Sequence, residues 1–154
     1  MTDSVRNERD FLESSIGFLM GVVYRKITTL LMHRLKDYDI TPDQWVVLYR
    51  IQEREGMIQK EIAEKSGKDK PAVTRILDAL ESKGLITREP GKQDRRSFLV
   101  YATEKGRSLI RETKPIERQT IREAAAGIGG SDHELLLALL RRINENVDAL
   151  ITKE

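Results

Sequence analysis

The stretch SGKDKPAVTRILDALESKGLI, residues 66–86, carries the signals that decide the fold. Asp69 is a favourable N-cap residue, and Pro71 is tolerated in the first turn of a helix. Gly84 stands where a left-handed residue ends a helix. Between them, apolar residues recur at i, i+3, i+4 and i+7: Val73, Ile76, Leu77 and Leu80. The stretch therefore predicts an amphipathic helix with one buried side.

A shorter helix is predicted just upstream, over residues 59–66, with Ile62 and Ala63 facing inward and Gly67 ending it. Two short strands are predicted downstream, over residues 85–89 and 96–102. A charged loop that contains Pro90 and Gly91 joins them, with its tip near residues 91–95. A helix-turn-helix followed by a β-hairpin wing is the arrangement that these segments predict.

The upstream flank predicts two further helices. Over residues 11–38, apolar side chains recur at spacings of three and four: Leu12, Ile16, Leu19, Val23, Ile27, Leu30 or Leu31, and Leu35. Thr41, Pro42 and Gln44 form a capping-box sequence that opens a second helix. We expect that helix to run to about Glu55, with Gly56 as a stop and with inward-facing Trp45, Leu48 and Ile51.

The downstream flank also predicts two helices. Thr103 is expected to cap one that reaches about Ala126, which Pro115 should bend or interrupt. After the glycine-rich break at residues 127–130, Ser131 and Glu134 form a second capping-box sequence. The last helix should then run over residues 131–153.

The predicted fold class is therefore mainly α with a small β-hairpin wing. We expect an N-terminal dimerisation helix in residues 1–40, a winged helix-turn-helix domain in residues 41–107 and C-terminal dimerisation helices in residues 108–154. Dimerisation is expected because the flanking helices carry more apolar surface than one small domain can cover. Leucines surround most of the last helix: Leu135, Leu136, Leu137, Leu139 and Leu140. The alternative is a closed monomeric core.

Composition excludes several classes of function. The 154 residues include no cysteine, so disulfides, thiolate nucleophiles and cysteine zinc sites are excluded. His33 and His133 lie a hundred positions apart, and no catalytic triad, phosphate loop or HExxH motif is present, so we expect neither an enzyme, nor a cofactor, nor a metal site. The apolar runs are too short to span a bilayer, and the polar N-terminus does not resemble a signal peptide, so a cytoplasmic protein is expected.

Charge is concentrated in the middle of the chain. Residues 57–107 carry 12 basic and 8 acidic side chains, whereas the whole chain has a net charge of +2. A localised basic surface is what binding to a polyanion such as DNA requires. The alternative for these charges is a solvated surface.

The second helix of a helix-turn-helix presents its N-terminal residues to the major groove of double-stranded DNA. Here the candidate contacts are Lys68, Lys70, Pro71, Thr74 and Arg75. Arg75 has the geometry to bond guanine through two hydrogen bonds, and Thr74 offers a hydroxyl or a methyl group.

The wing supplies a second group of candidates: Lys92, Arg95 and Arg96. An arginine at the tip of a hairpin can enter a narrow minor groove, where the negative potential is deepest. Asp94 would repel phosphate unless it orients an arginine through a bidentate pair. Without the preceding helices, a polar turn that only confers solubility would be the better interpretation.

The segment Asp94-x-Arg96-x-x-x-Val100-x-Ala102-Thr103-x-x-Gly106 resembles the wing signature of the MarR family of bacterial transcriptional regulators. Residues 73–86 are similar to that family's recognition helix and its exit. One departure is Ala102, where the family usually has leucine, and we expect it to loosen the packing beneath the wing.

This resemblance implies a winged-helix homodimer that binds pseudo-palindromic DNA, usually as a repressor. It also implies dimerisation through the terminal helices and, often, relief of repression by a small ligand. By position, Arg96 matches the family's minor-groove arginine and Asp94 matches its orienting partner.

The family often holds aromatic ligands between its dimerisation and DNA-binding parts. Candidate residues for such a pocket are Phe18, Tyr24, His33, Trp45 and Tyr49. The alternative is that each is an ordinary core or interface residue. Two other functions stay open for the whole chain, namely a winged-helix module that binds proteins and an architectural protein that binds DNA without sequence preference.

Overall fold

A computed structural model of the chain describes residues 10–93 and 97–154. Its helices are α1 (Ile16–Leu35), α2 (Pro42–Glu53), α3 (Gln59–Ser66), α4 (Lys70–Ser82), α5 (Glu104–Ala124) and α6 (Gly130–Lys153). Two strands, β1 (Ile86–Pro90) and β2 (Phe98–Ala102), form one antiparallel hairpin. The predicted mainly α fold with a single hairpin is confirmed.

The chain divides into two compact units, with the boundary inside α5. The first unit extends to Thr120 and holds the hairpin together with α1–α4. The second, Ile121–Glu154, comprises the last residues of α5, a turn with Gly127 in the left-handed conformation, and α6. None of the helices in the described residues is both long enough and apolar enough to cross a membrane.

The core of the first unit forms where α2, α3 and α4 pack against the hairpin. Each fully buried leucine or isoleucine side chain contributes about 1.5–3 kcal/mol relative to the exposed state. Of the residues predicted to face inward, only Ile76 is half-buried, at the edge of this core. The others are buried: Trp45, Leu48, Ile51, Ile62, Ala63, Val73, Leu77 and Leu80.

The capping signals at Thr41 and Asp69 place the starts of α2 and α4 correctly. Thr41 Oγ1 accepts a hydrogen bond from the Gln44 amide at 3.1 Å, and Gln44 Oε1 accepts one from the Thr41 amide at 3.2 Å. Asp69 Oδ1 accepts from the Ala72 amide at 2.8 Å and so begins α4. Gly67 ends α3 with φ +64°, a conformation that side chains other than glycine adopt only with strain.

The hairpin is attached to the rest of the first unit through its second strand. β1 and β2 pair from Ile86 opposite Ala102 to Pro90 opposite Phe98. Val100 also exchanges backbone hydrogen bonds with the loop after α2, donating to Met57 O at 3.0 Å and accepting from the Gly56 amide at 2.9 Å. The strands lie within one or two residues of their predicted positions, and Pro90 belongs to β1 and not to the loop.

The first two helices are shorter than predicted. α1 begins at Ile16, because Ser15 is its N-cap and accepts from the Phe18 amide at 3.4 Å. It ends at Leu35, where a short 3₁₀ helix, Lys36–Tyr38, follows and Asp39 adopts a left-handed φ of 51°. α2 ends at Glu53, two residues before its predicted end, because Arg54 takes an extended conformation.

The C-terminal helices differ from the predictions at two points. Pro115 does not interrupt α5, which is continuous from Glu104 to Ala124, and one helical hydrogen bond is missing there because proline has no amide hydrogen. Ser131 does not cap α6, because the helix already begins at Gly130. Gly129 is the N-cap, and no side chain caps this helix.

Thr103 caps α5 as predicted, with Oγ1 accepting from the Gly106 amide at 3.1 Å. Gly106 itself lies against the chain that leaves α4. A Cβ atom at this position would overlap the backbone carbonyl oxygen of Leu85 and would lie 3.3 Å from Leu48 Cδ1. The carbonyl of Leu85 is held in place, since it accepts from the Thr103 amide at 3.0 Å.

Gly106→Ala should therefore destabilise the protein by about 1–3 kcal/mol, because the added methyl group forces the backbone of Leu85 to move. Urea unfolding at a fixed protein concentration measures the change. Gly17→Ala is the matched control, since a Cβ atom there would lie 3.9 Å from Ser15 Oγ, which is an ordinary van der Waals distance. That substitution should be neutral or stabilise by up to about 1 kcal/mol. Equal unfolding midpoints for the two variants would contradict the close packing at Gly106.

Candidate nucleic-acid interface

α4 has one apolar side and one polar side. Val73, Leu77 and Leu80 are fully buried, and this fixes which residues face solvent. Four of the five predicted DNA contacts lie on the exposed side at the N-terminal end: Lys70, Pro71, Thr74 and Arg75. The partial positive charge of a helix N-terminus favours anions at this same end. The arrangement can bind phosphate with the first turn of α4 and reach bases with the second.

Thr74 is held in a hydrogen-bond chain that the sequence did not predict. Gln59, the first residue of α3, donates from Nε2 to Thr74 Oγ1 at 2.6 Å. Thr74 Oγ1 donates in turn to the backbone carbonyl of Lys70 at 3.0 Å. Gln59 thus belongs to this surface, and its only signal in the sequence is its position at the start of the helix that precedes α4.

The fifth predicted contact, Lys68, lies apart from the other four. Its ammonium Nζ is 2.7 Å from Asp43 Oδ1, and its side chain is only 16% exposed. Tyr24 also donates its hydroxyl to Asp43 Oδ1, at 3.2 Å. Lys68 is thereby engaged with α1 and α2 and is not presented beside Lys70.

The wing is coupled to α4 by Arg88 on β1. Its guanidinium donates to Asp78 Oδ1 at 2.5 Å and to Glu81 Oε2 at 3.2 Å. The hydrogen bonds to Asp78 and then to Glu81 raise the pKa of Arg88. Because Arg88 bridges two carboxylates on one helix, the base of the wing and α4 keep a defined relative orientation.

The wing tip is described only in part. Lys92 is exposed, as predicted. Asp94, Arg95 and Arg96 lie outside the described residues, so their predicted roles in the minor groove stay predictions.

A cavity of about 330 Å³ lies behind the helix-turn-helix, in the first unit. Tyr24 and Trp45, two of the five predicted pocket residues, line it. Tyr49 does not line it but stacks on Trp45 with a ring-centroid distance of 5.3 Å. Phe18 and His33 are exposed elsewhere on α1 and are not among the lining residues.

The turn between α3 and α4 forms part of the cavity wall, through Ser66, Gly67 and Lys68. Ser66 Oγ is buried and has no hydrogen-bond partner among the residues that the structure describes. Glu117 from α5 also lines the cavity, and partial burial raises the pKa of its carboxyl group, while the charge of Arg118 opposes this shift. The cavity thus combines aromatic walls with the Lys68–Asp43 ion pair, the carboxyl group of Glu117 and the unpartnered hydroxyl of Ser66.

α5 is tied to the preceding helices by two buried threonines. Thr113 Oγ1 accepts from the indole nitrogen of Trp45 at 2.8 Å, and Thr120 Oγ1 accepts from Arg34 Nη1 at 2.9 Å. Both threonines are fully buried, and the hydroxyl of Thr113 gives the indole nitrogen of the buried Trp45 a hydrogen-bond partner. The first bond fixes the indole of Trp45 against the cavity.

A sequence profile of the MarR family matches residues 40–98. The chain is also similar to a solved structure of the transcriptional regulator SlyA, with a TM-score of 0.82, 26% identity, and coverage of 87% of this chain and 94% of that one. The repressor CouR bound to a 23-mer DNA duplex gives a TM-score of 0.76, 29% identity, and coverage of 86% and 94%. BpsR of Bordetella bronchiseptica, whose DNA binding is regulated by 6-hydroxynicotinic acid, shares the fold, with a TM-score of 0.80, 22% identity, and coverage of 85% and 94%.

The helix-turn-helix with its hairpin, and the exposed polar end of α4, define a winged-helix transcription regulator. More specifically, residues 40–98 match the MarR family, and the chain as a whole has the fold of SlyA and of the repressor CouR.

Proposed function

We propose that this regulator binds a palindromic operator as a homodimer and represses transcription. The observation that carries the proposal is that the polar residues at the N-terminal end of α4 are exposed, while the apolar side of the same helix is fully buried. The similarity to a repressor solved on a DNA duplex supports it. In this proposal α4 reads the major groove through Lys70, Pro71, Thr74 and Arg75, and the wing reaches the minor groove through Lys92, Arg95 and Arg96, with Asp94 orienting an arginine.

Two consequences belong to the same proposal. Lys68, predicted as a DNA contact, is assigned to the cavity, because its ammonium is already paired with Asp43. The protein acts in the cytoplasm, where a bacterial regulator meets the chromosome. Residues 41–107 serve as the DNA-binding domain, while residues 1–40 and 108–154 serve dimerisation.

Selection of bound fragments from the source genome with the purified protein tests this function. A specific regulator should enrich a small set of palindromic fragments and bind them at least about 10³-fold more tightly than bulk DNA. Equal affinity for all fragments would favour an architectural DNA-binding protein. Absence of DNA binding altogether would favour a winged-helix module that binds proteins.

Arg75→Ala should remove discrimination at one base pair in each half-site, at a cost of about 1–3 kcal/mol, because a bidentate contact to guanine is lost. Binding to duplexes with single base-pair changes in the selected operator measures this. Arg50→Ala, which removes the same charge from α2, should leave the pattern of preferences unchanged. A uniform loss on all sequences would instead make Arg75 a phosphate contact.

The homodimer is supported by apolar side chains that the single chain leaves exposed. On α1 these are Ile16, Leu19 and Val23. α6 has no buried residue although it carries Leu135, Leu136, Leu137, Leu139, Leu140, Val147, Leu150 and Ile151. Packing against the same two helices of a second copy would bury this surface. A twofold dimer would also place its two copies of α4 about 34 Å apart, which is one turn of DNA.

Leu140→Glu should convert a dimer of twice 17.7 kDa into a monomer of that mass, because the dimer would have to bury an unpaired charge. Light scattering after size exclusion measures the mass, and operator affinity should fall with it. Ala138→Glu places the same charge on the opposite side of α6 and should leave the dimer intact. A wild-type protein that is monomeric at all concentrations would contradict dimerisation.

We further propose that a small aromatic effector occupies the cavity and releases the DNA. The aromatic walls, the ammonium of Lys68 and the unpartnered hydroxyl of Ser66 support a ligand with an aromatic ring and a polar or anionic group. The turn between α3 and α4 forms part of the wall, so an occupant would act directly on the position of α4.

The single tryptophan of the chain, Trp45, lines this cavity and reports its occupancy. Titration with phenol, benzoate and hydroxybenzoate should quench its fluorescence for at least one of them, and the same compound should weaken operator binding. Val46→Phe, which fills part of the cavity, should reduce both effects together. Quenching that leaves DNA affinity unchanged would contradict the regulatory role.

A further inference from the structure

Thr74 has its hydroxyl engaged within the protein. The hydroxyl has one hydrogen, which it donates to the Lys70 carbonyl at 3.0 Å, and it accepts a hydrogen bond from Gln59 Nε2 at 2.6 Å. Gln59 Nε2 also lies 3.5 Å from the same Lys70 carbonyl oxygen, so the amide nitrogen faces two acceptors. The hydroxyl therefore has no hydrogen left for an acceptor on a base, such as guanine O6 or thymine O4.

The chain of bonds also fixes the direction of the side chain. In a helix, threonine populates two χ1 rotamers, and a hydrogen bond to the carbonyl four residues earlier favours one of them. The hydrogen bond from Gln59 in the neighbouring helix stabilises the same rotamer. The residue as a whole is exposed on the polar side of α4, and the part of its side chain that remains free of hydrogen bonds is the methyl group Cγ2.

We propose that Thr74 recognises thymine, by contact of its methyl group with the C5-methyl group in the major groove, and does not use its hydroxyl. Thymine is the base of DNA that presents a methyl group there, and apolar side-chain atoms are its usual partners. This inference rests on the proposed function, since it requires α4 to lie in the major groove. Use of the hydroxyl as a donor would break the bond to Lys70 and leave its carbonyl without that partner.

Deoxyuridine tests the contact, because it pairs as thymine does and lacks only the C5-methyl group. The probe is a 25-base-pair duplex selected by the wild-type protein from a random-sequence library, with each thymine replaced in turn. At one thymine in each half-site, replacement should weaken binding about fourfold, the equivalent of one buried methyl group, and about 15-fold when both half-sites carry it. Replacement elsewhere should have no comparable effect.

Two variants separate the methyl group from the hydroxyl. Thr74→Val keeps the methyl group and loses the hydroxyl, so it should keep the sensitivity to deoxyuridine at the same thymine. Thr74→Ser keeps the hydroxyl and loses the methyl group, so it should bind the thymine duplex about fourfold more weakly per half-site and should be insensitive to deoxyuridine at that position. Thr74→Ala should behave as Thr74→Ser does, and thermal unfolding of all three should match the wild type.

Three results would overturn the inference. The first is a wild-type protein that is insensitive to deoxyuridine at every thymine. The second is a sensitive thymine whose effect persists in Thr74→Ser and Thr74→Ala, since another residue would then read it. The third is a loss of deoxyuridine sensitivity in Thr74→Val as large as that in Thr74→Ser. A wild-type protein that selects no sequence from the library would instead contradict the proposed function itself, so the two failures are distinguishable.

Discussion

The burial of the apolar side of α4 is the constraint on which the rest of this structure depends. Val73, Leu77 and Leu80 are fully buried against α2, α3 and the hairpin. Rotation of α4 by one residue, about 100°, would expose part of this side and lose about 1.5–3 kcal/mol for each side chain transferred to water. The core therefore sets which side of α4 carries Lys70, Thr74 and Arg75. This exposed polar surface is formed by the fold of the single chain.

The features that the sequence predicts well are those that depend only on residues close together in the chain. Asp69 caps an amide three residues away, and Thr41 does the same, so composition at those positions is sufficient to locate the helix starts. The bounds of α3 and the burial of α4 follow from equally local patterns. Where apolar periodicity runs past the true end of a helix, as Leu12 does before the start of α1, the pattern carries no information about the boundary.

The contacts that the sequence could not supply join residues far apart in the chain. Lys68 meets Asp43 across 25 positions, and Gln59 meets Thr74 across 15. Each pair depends on how two helices cross, and a charged residue just before a helix looks the same in sequence whether it faces solvent or a cavity. The predicted start of α6 is wrong for another reason. The N-cap is Gly129, which has no side chain to signal it, whereas the sequence pattern points to Ser131.

The turn between α3 and α4 lies between two surfaces with different proposed tasks. Ser66, Gly67 and Lys68 line the cavity, whereas Lys70, Pro71, Thr74 and Arg75 face solvent. Only Asp69 separates the two groups, and its carboxylate is the cap of α4. An anionic occupant of the cavity would compete with Asp43 for the ammonium of Lys68, so its charge would act within two residues of the first turn of α4. The base of the wing would follow any movement of that helix, because Arg88 on β1 is paired with Asp78 and Glu81 on α4. Exposed ion pairs of this kind contribute about 0.2–1 kcal/mol each, so they orient the wing more than they stabilise it.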